Sequence, residues 1–145
     1  MLFIFLFYMV NYLLLNSCYK RELSLNCKDI TVIYGTVHYQ YDRNGHKNFN
    51  FTISDKNKLN ELENLIMRSD RYLQESSLKK LARIELSINC GETSHCLLIY
   101  ITTNLGTLVQ WYAKDCNSKF QGQFKNDKLG DYLLKYLIDL GYQIN

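Results

Sequence analysis

Apolar and polar residues alternate without a break across residues 82–90, and this pattern leaves the chain little choice of local structure. In the sequence ARIELSINC, every second residue from Ala82 to Ile88 is apolar and the residues between are polar. A period of two places the apolar side chains on one face of a β-strand. Residues 96–103 (CLLIYITT) are apolar at nearly every position, which predicts a central strand.

Further strands are predicted on both sides of this pair. Residues 30–41 are rich in β-branched and aromatic types, and residues 47–53 alternate. Asn44-Gly45 lies between them, and this dipeptide is typical of a tight hairpin turn. Two more strands are predicted at residues 107–113 and, shorter, at 119–124.

Two amphipathic helices complete the predicted domain. Ser54 is the expected N-cap of a helix at residues 55–68, and residues 69–80 are read as a loop or a short helix. Asn126 or Asp127 caps the last helix. Gly141 is its expected left-handed stop. The predicted order β-β-α-β-β-β-(β)-α gives an α+β fold, with an antiparallel sheet of five or six strands and both helices on one face.

The first residues of the chain are predicted to be a targeting segment rather than part of the fold. Residues 2–15 (LFIFLFYMVNYLLL) carry no charge and are too short to span a hydrocarbon core of about 30 Å comfortably. Their length is typical of the apolar region of a signal peptide. The first basic residues, Lys20 and Arg21, follow the apolar run, whereas a signal peptide normally begins with basic residues. A mis-assigned start codon is one explanation of this departure.

The apolar run ends in Leu15-Asn16-Ser17-Cys18, which resembles the lipobox of bacterial lipoproteins. The resemblance implies that the Cys18 thiol receives a diacylglyceryl group and that cleavage makes Cys18 the new N-terminus. Asn16 departs from the small or β-branched residue usual at its position. An ordinary cleaved signal and an uncleaved anchor remain as alternatives. The implied organisation is a signal peptide at 1–17, a tether at 18–28 and a single α+β domain at 29–145.

The cysteine count agrees with export. If Cys18 carries lipid, four of the five cysteines remain, and an oxidising compartment permits two disulfides. We expect Cys90 to pair with Cys96 across a short turn that contains glycine, and Cys27 to pair with Cys116. The alternative is that all four are free thiols, buried as small apolar side chains.

The sequence contains no recognisable catalytic arrangement. It has no glycine-rich phosphate loop, no HExxH motif and no nucleophile elbow, and His38, His46 and His95 are isolated. Zinc binding by Cys90, His95 and Cys96 is disfavoured, because a fourth ligand is missing and neighbouring residues of a strand point to opposite faces. The sequence therefore predicts no catalytic residue, no metal and no cofactor.

Aromatic residues in the predicted strands are the best candidates for binding. Tyr100, Trp111 and Tyr112 could anchor a partner, although packing within the sheet is the alternative for each of them. The net charge of +3 comes from scattered basic residues, which argues against nucleic-acid binding.

These observations predict a small lipoprotein of the cell envelope, anchored to the membrane by lipid with its domain outside the cytoplasm. A non-catalytic module that binds an unknown protein partner or a ligand fits best, and immunity or inhibitor proteins are an analogy of size and architecture only. The alternatives are a small secreted hydrolase and an uncleaved membrane-anchored structural protein.

Overall fold

The computed structural model of this chain describes residues 23–25, 27, 29–38, 48–73 and 80–142. The described part contains seven strands in one antiparallel sheet and two helices, so the predicted α+β class is confirmed with one strand more than expected. The elements are β1 (Val32–His38), β2 (Phe49–Ile53), α1 (Lys56–Met67), β3 (Asp70–Arg71), β4 (Lys80–Cys90), β5 (Thr93–Thr102), β6 (Thr107–Tyr112), β7 (Phe120–Lys125) and α2 (Asp127–Asp139). The strand order is β2-β1-β4-β5-β6-β7-β3.

The β4–β5 hairpin forms the centre of the sheet, as the alternating sequence predicts. Its turn is short: Cys90 lies opposite Thr93, and Gly91 between them has a φ of 75°. The register places Leu86 opposite Leu97, and both side chains are fully buried. Strand β5 is buried on both of its faces from Cys96 onward, because helices cover one face and a second apolar cluster covers the other.

Helix α1 begins one residue later than the sequence predicts. Asp55, and not Ser54, is its N-cap, and the Asp55 carboxylate accepts a hydrogen bond from the Lys58 N–H at 2.9 Å. A carboxylate at this position satisfies a free amide and also interacts favourably with the helix dipole.

Helix α2 has both of its predicted ends. Asn126 is the N-cap and accepts a hydrogen bond from the Leu129 N–H at 3.0 Å. Gly141 adopts a φ of 89°, and its N–H donates to the Ile138 carbonyl, while the Tyr142 N–H donates to the Leu137 carbonyl. This pair of bonds is a Schellman motif, which explains why glycine ends the helix here.

Both helices pack on one face of the sheet, which we call the inner face. Trp111 and Phe124 are its largest fully buried side chains. Leu23 and Leu25, which lie within the predicted tether at 18–28, are each 1% exposed and belong to the same core. The helices contribute Leu59, Leu62, Ile66, Leu129, Leu133 and Leu137.

The opposite face, which we call the outer face, carries a smaller core of its own. Cys96, Leu98, Tyr100 and Leu108 are buried there. Partly buried side chains pack against them from neighbouring loops and strand ends: Tyr72, Leu105, Tyr112 and Cys116. The middle of this face is therefore covered by the chain itself.

Two expectations about loops have different outcomes. The stretch at residues 69–80 contains β3, a two-residue strand that pairs with the end of β7, where the sequence predicted a loop or a short helix. The turn predicted at Asn44-Gly45 and the signal segment at 1–17 lie outside the described residues.

Candidate functional site

Four cysteines form two disulfides, one on each face of the sheet. Cys27–Cys90 joins the segment before β1 to the end of β4 beside the inner core, with the Cα atoms 5.1 Å apart. Cys96–Cys116 joins β5 to the connection between β6 and β7 on the outer face, with the Cα atoms 5.2 Å apart. Both separations are normal for disulfides. The prediction of two disulfides is confirmed.

The predicted pairing of these cysteines is wrong, and the register explains why. The β4–β5 turn has only two residues, so Cys96 lies opposite Ser87 and not opposite Cys90. Neighbouring positions of a strand alternate between faces. Cys90 therefore points to the inner face and Cys96 to the outer face, where each meets a cysteine from another part of the chain.

His95 lies beside the inner disulfide. A ligand atom of His95 and the sulfur atoms of Cys27 and Cys90 lie within 4.8 Å of one another. The indole N–H of Trp111 donates to His95 Nδ1 at 3.3 Å. The zinc ligands considered from the sequence included Cys96, which lies on the other face, so that set does not converge. Sulfur atoms that are bonded to each other are not thiolate ligands, and this cluster is a structural one.

The three aromatic candidates are not equivalent. Trp111 is 1% exposed and packs on the inner face, where its ring centroid is 6.5 Å from that of Phe124. Its side chain therefore offers no exposed surface to a partner. Tyr100 is 8% exposed within the outer core. Tyr112 is half-buried on the outer face and makes an edge-to-face contact with Phe120 at 5.6 Å. The structure gives Trp111 and Tyr100 packing roles, because their strand positions direct them into the two cores.

A small polar cluster lies on the outer face next to Tyr100. His38 Nε2 is 3.5 Å from a Glu85 carboxylate oxygen, and both side chains are about one-third exposed. Arg83 is paired across the strands with both His38 and Tyr100. Burial raises the pKa of Tyr100, Arg83 opposes that shift, and Glu85 adds to it. The cluster joins strands β1, β4 and β5 through polar side chains.

A groove of about 420 Å³ opens at the other edge of the sheet, where β3 pairs with β7. The last turn of α1 and the first turn of α2 form its sides. Its volume is in the range of small-molecule sites. Leu65 and Tyr72 line it together with six charged side chains: Arg68, Arg71, Lys125, Lys128, Asp70 and Asp127.

Local hydrogen bonds hold the floor of this groove in place. The Asn126 side chain caps α2 and also donates to the Leu65 carbonyl at 2.7 Å, so it joins the two helices. One Asp127 oxygen accepts from the Thr107 N–H at 2.8 Å, and the other is 3.9 Å from Lys125 Nζ. Asp127 is therefore committed to holding α2 against β6.

The basic side chains of the groove are largely unpaired. In the part of the chain that the structure describes, Arg68, Arg71 and Lys128 form no ion pair. Arg71 Nη2 is shielded from solvent and has no hydrogen-bond partner among the described residues. His38 Nε2 and Arg83 Nε in the polar cluster are enclosed in the same way. The groove is distinguished by its concave shape and its excess of positive charge, which make it the best candidate for a ligand site in the described part of the chain.

Sequence reasoning missed the groove. Its four cations come from the residue after α1, from β3, from β7 and from α2. In the sequence they were therefore read as scattered charges. Only the pairing of β3 with β7 brings them together. Lys125 and Lys128, three residues apart around a helix start, were the one local signal.

Comparison with known protein families, with curated proteins and with solved structures gives no match for this chain. Among the described residues, no helix combines the length and the apolar character that crossing a membrane requires.

Proposed function

We propose that this protein is an exported lipoprotein, tethered to the cell envelope through lipid on Cys18, with a domain that binds a ligand or a protein partner without catalysing a reaction. The observation that carries this proposal is the pair of disulfides. They use all four cysteines that remain when Cys18 is assigned to lipid. Stable disulfides are typical of proteins outside the reducing cytosol.

The groove at the β3–β7 edge supports the binding role. It is a concave site lined by six charged side chains. Binding sites commonly combine a preformed cavity with a few polar groups that orient the ligand. The partner and the lipid anchor are separate parts of the proposal and are tested separately.

The test of the anchor is peptide mapping by mass spectrometry of the full chain, isolated from the membrane fraction of its host without reduction. We expect an N-terminal peptide that begins at lipidated Cys18, together with linked peptides for Cys27–Cys90 and Cys96–Cys116. Palmitate labelling of Cys18→Ser provides the matched test, with Cys27→Ser as the control. The label should disappear only in Cys18→Ser.

Two results would overturn the proposed anchor. One is equal palmitate incorporation by the wild type and by Cys18→Ser. The other is recovery of the chain from the cytosol with Met1 attached and with Cys27 and Cys90 reduced.

A further inference from the structure

The groove between β3 and β7 holds an excess of positive charge. Four cationic side chains and two carboxylates line it, which leaves a surplus of two positive charges. Asp127 lies beside Lys125, with its oxygen 3.9 Å from Lys125 Nζ, so the surplus belongs to the other cations of the groove. A phosphate monoester carries about −1.5 to −2 charges at neutral pH, and this matches the surplus.

The donors of the groove fit a phosphate group. Arg68 and Arg71 each present a planar fork of N–H donors, and Lys125 and Lys128 add compact positive charges. A phosphate has several acceptor oxygens and can bind donors from different directions. The cations come from the residue after α1, from β3, from β7 and from α2, so four separate parts of the chain contribute positive charge to one groove.

Arg71 gives the most specific argument. Its backbone is fixed by pairing with Phe124 in β7, and its Nη2 is enclosed without a hydrogen-bond partner among the described residues. Arg71 as a whole is only partly buried and lines the groove, so other N–H donors of its guanidinium are available to a ligand. An oxyanion in the groove can accept from these donors, whereas an apolar ligand cannot.

The position of the groove favours a soluble ligand over a membrane lipid. Cys27 fixes the incoming chain at the Cys90–Thr93 end of the sheet. The register places Lys125 opposite Leu108 of β6, which in turn lies opposite Tyr100 of β5. Tyr100 follows Thr93 by seven residues, which is about 23 Å along the strand. If the chain is tethered through Cys18, the groove lies at the end of the sheet away from the attachment.

The geometry points to a binding site for a small soluble phosphate compound in this groove, with Arg71 as the central donor. Leu65 and Tyr72 offer an apolar and aromatic wall to the organic part of such a compound. This inference names a ligand class for the binding module and therefore rests on the proposed function.

Isothermal titration of the full chain in detergent micelles tests the site at constant ionic strength. The probes are inorganic phosphate and glycerophosphoglycerol, which is the soluble headgroup of a phospholipid. We expect inorganic phosphate to bind and the diester to bind at least about tenfold more weakly. Arg71→Gln should weaken phosphate binding by at least about tenfold, because it removes a charged hydrogen bond. Lys128→Gln should weaken it as well.

The matched control is Lys135→Gln, which removes the same charge from an exposed position of α2 outside the groove. It should leave the affinity within about twofold. Absence of phosphate binding by the wild type, or equal affinities for Arg71→Gln and Lys135→Gln, would overturn the inference. Equal affinities for inorganic phosphate and the diester would contradict the soluble ligand and would favour a lipid headgroup as the ligand of the groove. A failed titration with normal palmitate labelling of Cys18 would refute the groove and leave the proposed anchor standing.

Discussion

Asn126 is the residue on which the junction between the two helices depends. Its carbonyl oxygen caps α2, and its amide group donates to the Leu65 carbonyl at 2.7 Å and to Ser69 Oγ at 3.0 Å. Carbonyls at the end of a helix lack partners within the helix. One side chain therefore forms hydrogen bonds with a backbone amide at the beginning of α2 and with a backbone carbonyl at the end of α1. The sequence predicted the cap, but the contact with Leu65 depends on the tertiary fold.

Replacement of Asn126 by alanine should lower the free energy of unfolding by about 1.5–2.5 kcal/mol. Loss of the cap accounts for about 1 kcal/mol. Loss of the hydrogen bond to the Leu65 carbonyl, which keeps its bond from the Arg68 N–H, accounts for about 0.5–1.5 kcal/mol. Urea denaturation measures the difference. Asp55→Ala is the matched control, because it removes only a cap bond to Lys58 and should cost about 1 kcal/mol. Equal losses in the two variants would contradict the bridging role.

At the scale of elements, periodic patterns were sufficient where they were long. The alternation in β4 and the apolar stripe of α2 predicted both the elements and their buried faces. Strand β3 has two residues, which is too few to show any period. The cysteine pairing and the groove could not be predicted for a related reason: both depend on register and on contacts between distant strands, which a single sequence does not reveal.

The packing of α2 against α1 has a consequence for stability in alkaline solution. Burial raises the pKa of Tyr132 to about 12, and the charge of Glu61 and a hydrogen bond with it contribute further. The unfolded phenol has a pKa of about 10. The stabilisation is therefore complete below pH 10 and is lost as the pH rises towards 12.

We expect the ring resonances of Tyr132, followed by NMR, to titrate near pH 12 in the folded protein. Glu61→Gln should lower this pKa towards its ordinary value without reaching it, because burial remains. In Tyr132→Phe, unfolding free energy should fall less steeply with pH in the alkaline range. A Tyr132 pKa that is unchanged in Glu61→Gln would show that the two helices are not coupled through this pair.

At the scale of the whole molecule, each of the two disulfides links a segment outside the strands to the central β4–β5 hairpin. Cys27–Cys90 spans 63 residues and joins the entry of the domain to the central hairpin. Cys96–Cys116 spans 20 residues and closes the outer core over β5. Because the two bonds lie on opposite faces, each constrains a different layer of the domain.

The longer disulfide loop should contribute more to stability. In the chain-entropy model, closing the loop of Cys27–Cys90 is worth about 4 kcal/mol and that of Cys96–Cys116 about 3 kcal/mol. Urea denaturation of the double variants Cys27→Ala/Cys90→Ala and Cys96→Ala/Cys116→Ala tests this order. A greater loss in the second double variant would contradict the entropic account.

The burial of Leu23 has a mechanical consequence if Cys18 carries the lipid. Leu23 is 1% exposed and is part of the core, and it follows Cys18 by five residues. Five residues span at most about 18 Å in any conformation. The domain would therefore remain close to the bilayer surface. A partner could bind it only at that surface.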